Sequence, residues 1–116
     1  MHAIQKMAVG RVLLLRWEGA LDGSGPAPQR LAEAARACGA RYLLLDTTHA
    51  PYADSDGLRW LVRLRAELEA HGRRLRLAVR PHSKVWRSLS LLHLGLEVYG
   101  SLRAAWKPPR GGSAVL

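Results

Sequence analysis

The sequence predicts one α/β domain, with four or five strands in a mostly parallel sheet and about four helices. Three observations carry this expectation. Short apolar runs bounded by turn residues, Leu13-Leu14-Leu15 and Leu43-Leu44-Leu45, suit strands covered on both faces. Between and after them, apolar residues recur at helical spacing over segments of about 10 to 16 residues, and strands alternating with such helices imply a parallel sheet. The chain has 116 residues, 48% of them hydrophobic, which fits a single domain able to build a core without metal or disulfide staples.

Taken in order, Arg11 to Trp17 (RVLLLRW) reads as a buried strand after a Val9-Gly10 turn, and residues 3 to 8 pair with it as a hairpin. Gly19 to Pro28 is too rich in Gly and Pro for either regular element. A helix follows, with Pro28 in its first turn, Leu31, Ala34, Ala35 and Cys38 on its inner face and Gly39 as its stop. Arg41 to Asp46 (RYLLLD) reads as a central parallel strand. The loop TTHAPYAD then leads to a second helix, capped by Asp54 or Ser55, with Leu58, Leu61, Val62, Leu64, Arg65 and Leu68 continuing to about His71. Gly72 ends it. Arg74 to Val79 alternates like a strand. His82 to Leu94 carries Val85, Leu89 and Leu92 on one stripe, stopped by Gly95. Leu96 to Tyr99 forms a last short strand, and Ser101 caps a final turn holding Leu102, Ala105 and Trp106. One domain over residues 1–106 and a flexible tail over 107–116 are therefore expected.

Composition narrows the function classes. Cys38 is the lone cysteine, so no internal disulfide forms and a reducing, cytoplasmic setting is the expectation. The longest apolar runs fall far short of the roughly 20 residues that span a bilayer, and Lys6 and Arg11 interrupt any signal-peptide core, so no transmembrane segment is expected. Charge is uneven: residues 1–58 hold six Lys/Arg and six Asp/Glu, whereas residues 59–116 hold twelve against three. A solvated face accounts for such asymmetry in the ordinary case, and an acidic partner, nucleic acid or an anionic membrane is the other reading. Arg59 and Arg63 lie one turn apart beside Trp60, and Arg73, Arg74, Arg76 and Arg80 cluster around the following strand. Trp60 alone is thin support for a base-stacking platform, so stable nucleic-acid binding is not expected.

No enzyme site converges. Ser55, His49 and Asp46 or Asp54 fall within one short loop but lack a G-x-S-x-G elbow. Pro26 removes an N–H that a phosphate-cradling Gly23-Ser24-Gly25 loop would need, and no Walker A lysine is present. His2, His49, His71, His82 and His93 lack metal-ligand spacing, so no metal or cofactor is expected.

The most informative stretch is Asp54-Ser55-Asp56-Gly57-Leu58, set between a strand with its loop and an amphipathic helix. On local physics Ser55 either caps the helix, with the aspartates complementing its dipole, or presents a hydroxyl whose phosphorylation the dipole favours and the aspartates oppose. Capping is the simpler of the two. The segment resembles the DSxGL signature of STAS domains, the anti-sigma-factor-antagonist family of bacterial partner-switching systems. Gly19-Ala20-Leu21-Asp22 resembles that family's G-x-L-D, Leu43-Leu44-Leu45-Asp46 its apolar strand ending in Asp, Gly72-Arg73-Arg74-Leu75 its G-x-x-L step, and Leu94-Gly95-Leu96 its L-G-L step. The resemblance covers about residues 8 to 106 and implies a STAS-type fold. It places the phosphoacceptor at Ser55, its acidic neighbour at Asp54, the glycine that keeps the helix start accessible at Gly57, and loop aspartates at Asp22 and Asp46. Two positions depart from the pattern: Asp56 stands where a small or hydroxyl residue is usual, and Ala53 where a bulky apolar one is, with Tyr52 beside it.

The resemblance implies a binding module that docks an anti-sigma factor with serine-kinase activity and is released when Ser55 is phosphorylated. The expected partner-binding residues are Asp22, Asp54 and Gly57, with Asp56 adding to the charge beside Ser55 and Arg59 meeting an acidic patch on the partner. A homodimer is left open. Two alternatives stand beside this expectation: a STAS subunit of a membrane-associated, lipid-transport type complex that needs no phosphorylation, and a basic module on nucleic acid or anionic membrane.

Overall fold

The computed structural model describes residues 3–107 and 114–116. Strands β1 (Ala3–Val9) and β2 (Val12–Glu18) form the expected hairpin. They are followed by α1 (Pro28–Ala37), β3 (Tyr42–His49), α2 (Ser55–Ala70), β4 (Arg74–Ala78), α3 (Lys84–Leu92), β5 (Glu97–Tyr99), α4 (Leu102–Trp106) and β6 (Ala114–Val115). The sheet runs β1-β2-β3-β4-β5-β6. The pairs β2–β3, β3–β4 and β4–β5 are parallel, and the two outermost pairs are antiparallel.

Alternation along the strands sorts side chains onto two faces. Leu13, Leu15, Trp17, Leu43, Leu45, Leu75 and Leu77 point to the face covered by α1, α2 and α3, where Leu31, Leu61, Leu64, Leu68, Val85 and Leu89 close the larger core. Each such leucine, fully buried, contributes about 1.5–3 kcal/mol relative to exposure. Leu44, Ala78 and Tyr99 point to the other face and meet only the short α4 through Ala105, with Leu14, Leu102 and Trp106 partly buried beside them. That thinner cover leaves room for charge on the second face. Arg76 lies 3.7 Å above the Tyr42 ring and 3.3 Å from Glu97 Oε2, while Arg74 donates to Glu97 Oε1 at 2.6 Å.

Four expectations change. A sixth strand joins the four or five expected: Ala114–Val115 pairs with β5, and the Leu116 and Leu96 backbones exchange two hydrogen bonds. The tail expected over 107–116 therefore ends in a sheet partner, while residues 108–113 lie outside the described residues. β3 runs through His49, because Glu18 pairs with it after a register shift. Cys38 is exposed at the end of α1, and Ala32 takes its place on the inner face. On α3, Val85 and Leu89 are buried but Leu92 is 52% exposed, because the chain turns into a left-handed conformation at His93.

Candidate functional site

The loops after β2 and β3 leave the carboxyl ends of adjacent parallel strands, where open α/β sheets place their crevices. Backbone pairing locks them together. The Leu21 N–H donates to Tyr52 O, and the Asp54 N–H donates to Leu21 O, each at 3.0 Å. A second fastening comes from two buried tryptophans. Trp17 and Trp60 pack with ring centroids 5.0 Å apart, and Trp60 Nε1 donates to Pro26 O at 2.8 Å. Gly25 lies so close over the Trp17 ring that no side chain fits there. The Gly/Pro-rich loop is thus held against the start of α2.

Asp54, and not Ser55, is the N-cap of α2. Its extended backbone aims the carboxylate at the Gly57 N–H, 2.9 Å away. Ser55 becomes the first helical residue, exposed and with no side-chain hydrogen bond among the described residues. Asp56 is exposed beside it and accepts from Arg59 Nη1 at 2.9 Å, so Arg59 already holds an intrachain partner. Such an exposed pair adds well under about 1 kcal/mol.

Gly57 was expected to keep the helix start accessible, and its location corrects that account. It is buried, and a Cβ there would collide with the Leu21 carbonyl. Its missing side chain lets the Asp22 loop sit directly on the first turn of α2. Asp22 accepts from the Ser24 N–H at 3.1 Å and the Ser24 hydroxyl at 2.6 Å, which shapes the loop tip. Asp22, Asp56, Arg59 and Arg63 then line one polar cavity of about 380 Å³. Asp46 lies deeper. It is buried, accepts from the Thr48 N–H and hydroxyl, and faces Arg16 at 3.6 Å.

A second cavity, of about 590 Å³, shares Arg59 and Arg63 with the first and has Ser55 in its wall. Leu58, Val62, Leu92 and Leu94 form its apolar floor, with Arg59 and Arg63 on the rim. Arg65 on α2 holds the far wall by donating to Leu94 O at 2.6 Å. Sequence reasoning missed this groove. Its signal was the Leu91-Leu92 pair, neither of which the inward stripe of α3 buries: Leu91 is 79% exposed and Leu92, which lines the groove, is 52% exposed.

The basic half separates into unrelated pieces. Trp60, considered as a platform beside Arg59 and Arg63, is buried in the core and cannot stack on a base. Arg74 and Arg76 are spent on Glu97, while Arg73 lies at the opposite end of the sheet from Ser55. Among the described residues no cluster of three or more His, Cys, Asp or Glu is placed to hold a metal ion, and no helix is long and apolar enough to cross a membrane.

Residues 3–105 match the STAS domain family model. The fold is similar to an anti-sigma factor antagonist from Mycobacterium paratuberculosis, with a TM-score of 0.75 and 19% identity over 95% of each chain. It is also similar to the anti-sigma factor antagonist SpoIIAA in its unphosphorylated form, with a TM-score of 0.66 and 19% identity over 87% of this chain and 91% of that one. No curated protein sequence matches.

Proposed function

The chain belongs to the STAS domain family, and from that premise we propose that it is an anti-sigma-factor-antagonist type of binding module whose docking surface is switched by phosphorylation of Ser55. STAS domains of this kind are binding modules and not enzymes. The observation that carries the reading is the freedom of Ser55: Asp54 has taken the capping role, and the exposed hydroxyl stands at the mouth of the apolar groove between α2 and the Leu92–Leu94 segment.

A phosphoryl group on Ser55 would bring about −1.5 to −2 charge to a helix start that favours anions. It would also place that charge between the exposed carboxylates of Asp54 and Asp56 and compete with Asp56 for Arg59. A partner seated in the groove would meet the new charge at close range, where repulsion and desolvation of the phosphate both oppose docking. The partner of this reading is an anti-sigma factor with serine-kinase activity. Asp22, Asp54, Asp56 and Arg59 would form the polar rim of the interface, while buried Gly57 acts by positioning the Asp22 loop.

The test is binding of that anti-sigma factor, followed by calorimetry, for wild type, Ser55→Ala and Ser55→Asp. Retained binding by the alanine variant and loss by the aspartate variant are expected. Equal affinity for all three would remove the charge switch and leave a constitutive docking module, as in a STAS subunit of a membrane-associated complex.

A further inference from the structure

We propose that the pole of the sheet opposite Ser55 carries a binding site for a phosphate group, formed by Arg11, Arg41 and Arg73. These residues immediately precede the parallel strands β2, β3 and β4, so the register that pairs Val12 with Tyr42 and Tyr42 with Arg74 brings all three to one edge. Backbone bonds tie the three turns together: the Arg41 and Tyr42 N–H groups donate to Arg11 O, and the Arg74 N–H donates to Arg41 O. With Gly39, Ala40 and Gly72 they line a polar cavity of about 420 Å³ that contains no carboxylate. Glu69 and Glu97 line a different cavity with Arg65 and Arg74, and Glu33 of α1 and Glu67 of α2 line neither cavity.

Arg73 is the fixed member. Its Nε donates to Ala40 O at 3.1 Å and its Nη1 to His71 O at 2.6 Å, so its guanidinium is held by backbone alone and its charge has no carboxylate partner among the described residues. The Nη2 edge keeps its donors. Arg11 and Arg41 are exposed and take part in no salt bridge among the described residues. A held fork with two free guanidinium groups beside it matches the planar, multi-donor recognition of phosphate oxygens.

Helix electrostatics account for only part of this charge. The C-termini of α1 and α2 point to this pole, each worth about half a negative charge, and Arg36 already sits in the last turn of α1. Three further cations around one cavity exceed what those ends neutralise. Gly39 and Gly72, both at φ +71°, leave open space where a Cβ would stand, so the mouth stays clear.

A free phosphate ester and a lipid headgroup share this chemistry, and the test separates them. Backbone amide shifts would be followed during titration with inorganic phosphate, against chloride at equal ionic strength, for wild type and the Arg11→Gln/Arg41→Gln double variant. Co-sedimentation with phosphatidylcholine vesicles, with and without phosphatidic acid, runs in parallel. Neither substitution removes a contact within the fold, and an unchanged melting temperature would verify that. Saturable shifts at residues 39–42 and 72–74, weakened about tenfold or more in the double variant, are expected. Phosphate shifts without vesicle binding assign a soluble ester, and phosphatidic-acid binding lost in the double variant assigns a headgroup. Shifts reproduced by chloride, shifts and sedimentation unchanged in the double variant, or no response to either probe overturn the site. Ser55→Ala leaves all of these readouts unchanged, which keeps this site separable from the Ser55 switch.

Discussion

The Asp54 carboxylate accepts a hydrogen bond from the Gly57 N–H at 2.9 Å, and that contact decides what Ser55 is free to do. Had Ser55 capped the helix, its hydroxyl would be tied to the backbone and modification would cost a cap. With Asp54 in that role, removal of the two side chains should have unequal effects. Asp54→Ala is expected to lower stability by about 1 kcal/mol, with Asp54→Ser restoring most of it. Ser55→Ala should stay within about 0.5 kcal/mol of wild type. Urea denaturation monitored by circular dichroism measures both, and a larger cost for Ser55→Ala would make the hydroxyl structural.

Gly57 supplies a sign reversal. Gly to Ala inside an exposed helix ordinarily stabilises by about 1 kcal/mol. Here the added methyl would overlap the Leu21 carbonyl, and the loop carrying Asp22 would have to lift from α2. The expected result is a net loss of about 2 kcal/mol. Backbone amide shifts, compared between Gly57→Ala and wild type, should change along residues 20–24. A stabilised Gly57→Ala protein would show that the loop yields at no cost.

Much of this arrangement was legible in the chain and some was not, for a physical reason. Leu43-Leu44-Leu45 announced a strand covered on both faces, and Leu61, Leu64 and Leu68 announced the inner face of α2, because burial repeats with the local period. The Asp54–Ser55–Gly57 motif was likewise visible, down to the choice of two caps. What the periods could not show are contacts between distant segments. Gly57 meets Leu21 across a loop, a helix and a strand, and no spacing within α2 reveals that its glycine serves packing instead of exposure. Arg76 looked like part of a basic surface until β5 brought Glu97 to it. Leu92 lay on the correct stripe for the core, yet the left-handed turn at His93 leaves it half in solvent.

Glu97 serves two arginines at once and also accepts from the Tyr99 hydroxyl at 3.1 Å. Arg76 is only 14% exposed, so its charge depends on this carboxylate, on the Tyr42 ring and on a long hydrogen bond from Nη1 to Ala105 O at 3.5 Å. Glu97→Gln keeps the shape and removes the charge, which leaves Arg76 with incomplete compensation. A loss of about 2 kcal/mol is expected, whereas Asp56→Asn, breaking the exposed Arg59 pair, should cost less than about 0.5 kcal/mol. Paired denaturation curves compare the two, and equal costs would mean that Arg76 is better hydrated than its burial implies.

The groove and the charge switch can be told apart by salt. Leu92 is half exposed and contributes little to the core, so Leu92→Ser should leave stability within about 0.5 kcal/mol of wild type. If the partner seats an apolar anchor between Val62, Leu92 and Leu94, the same substitution weakens binding about tenfold, in the range of a moderate interface anchor. That defect comes from lost apolar burial and should persist in strong salt. The defect of Ser55→Asp comes from repulsion across an exposed rim, where screening shortens the reach of charge to about 3 Å at 1 M ionic strength. Affinity for the anti-sigma factor, measured from low to high salt, should therefore recover for Ser55→Asp and not for Leu92→Ser. Parallel recovery of both would mean that the groove acts through Arg59 and Arg63 on its rim and not through its floor.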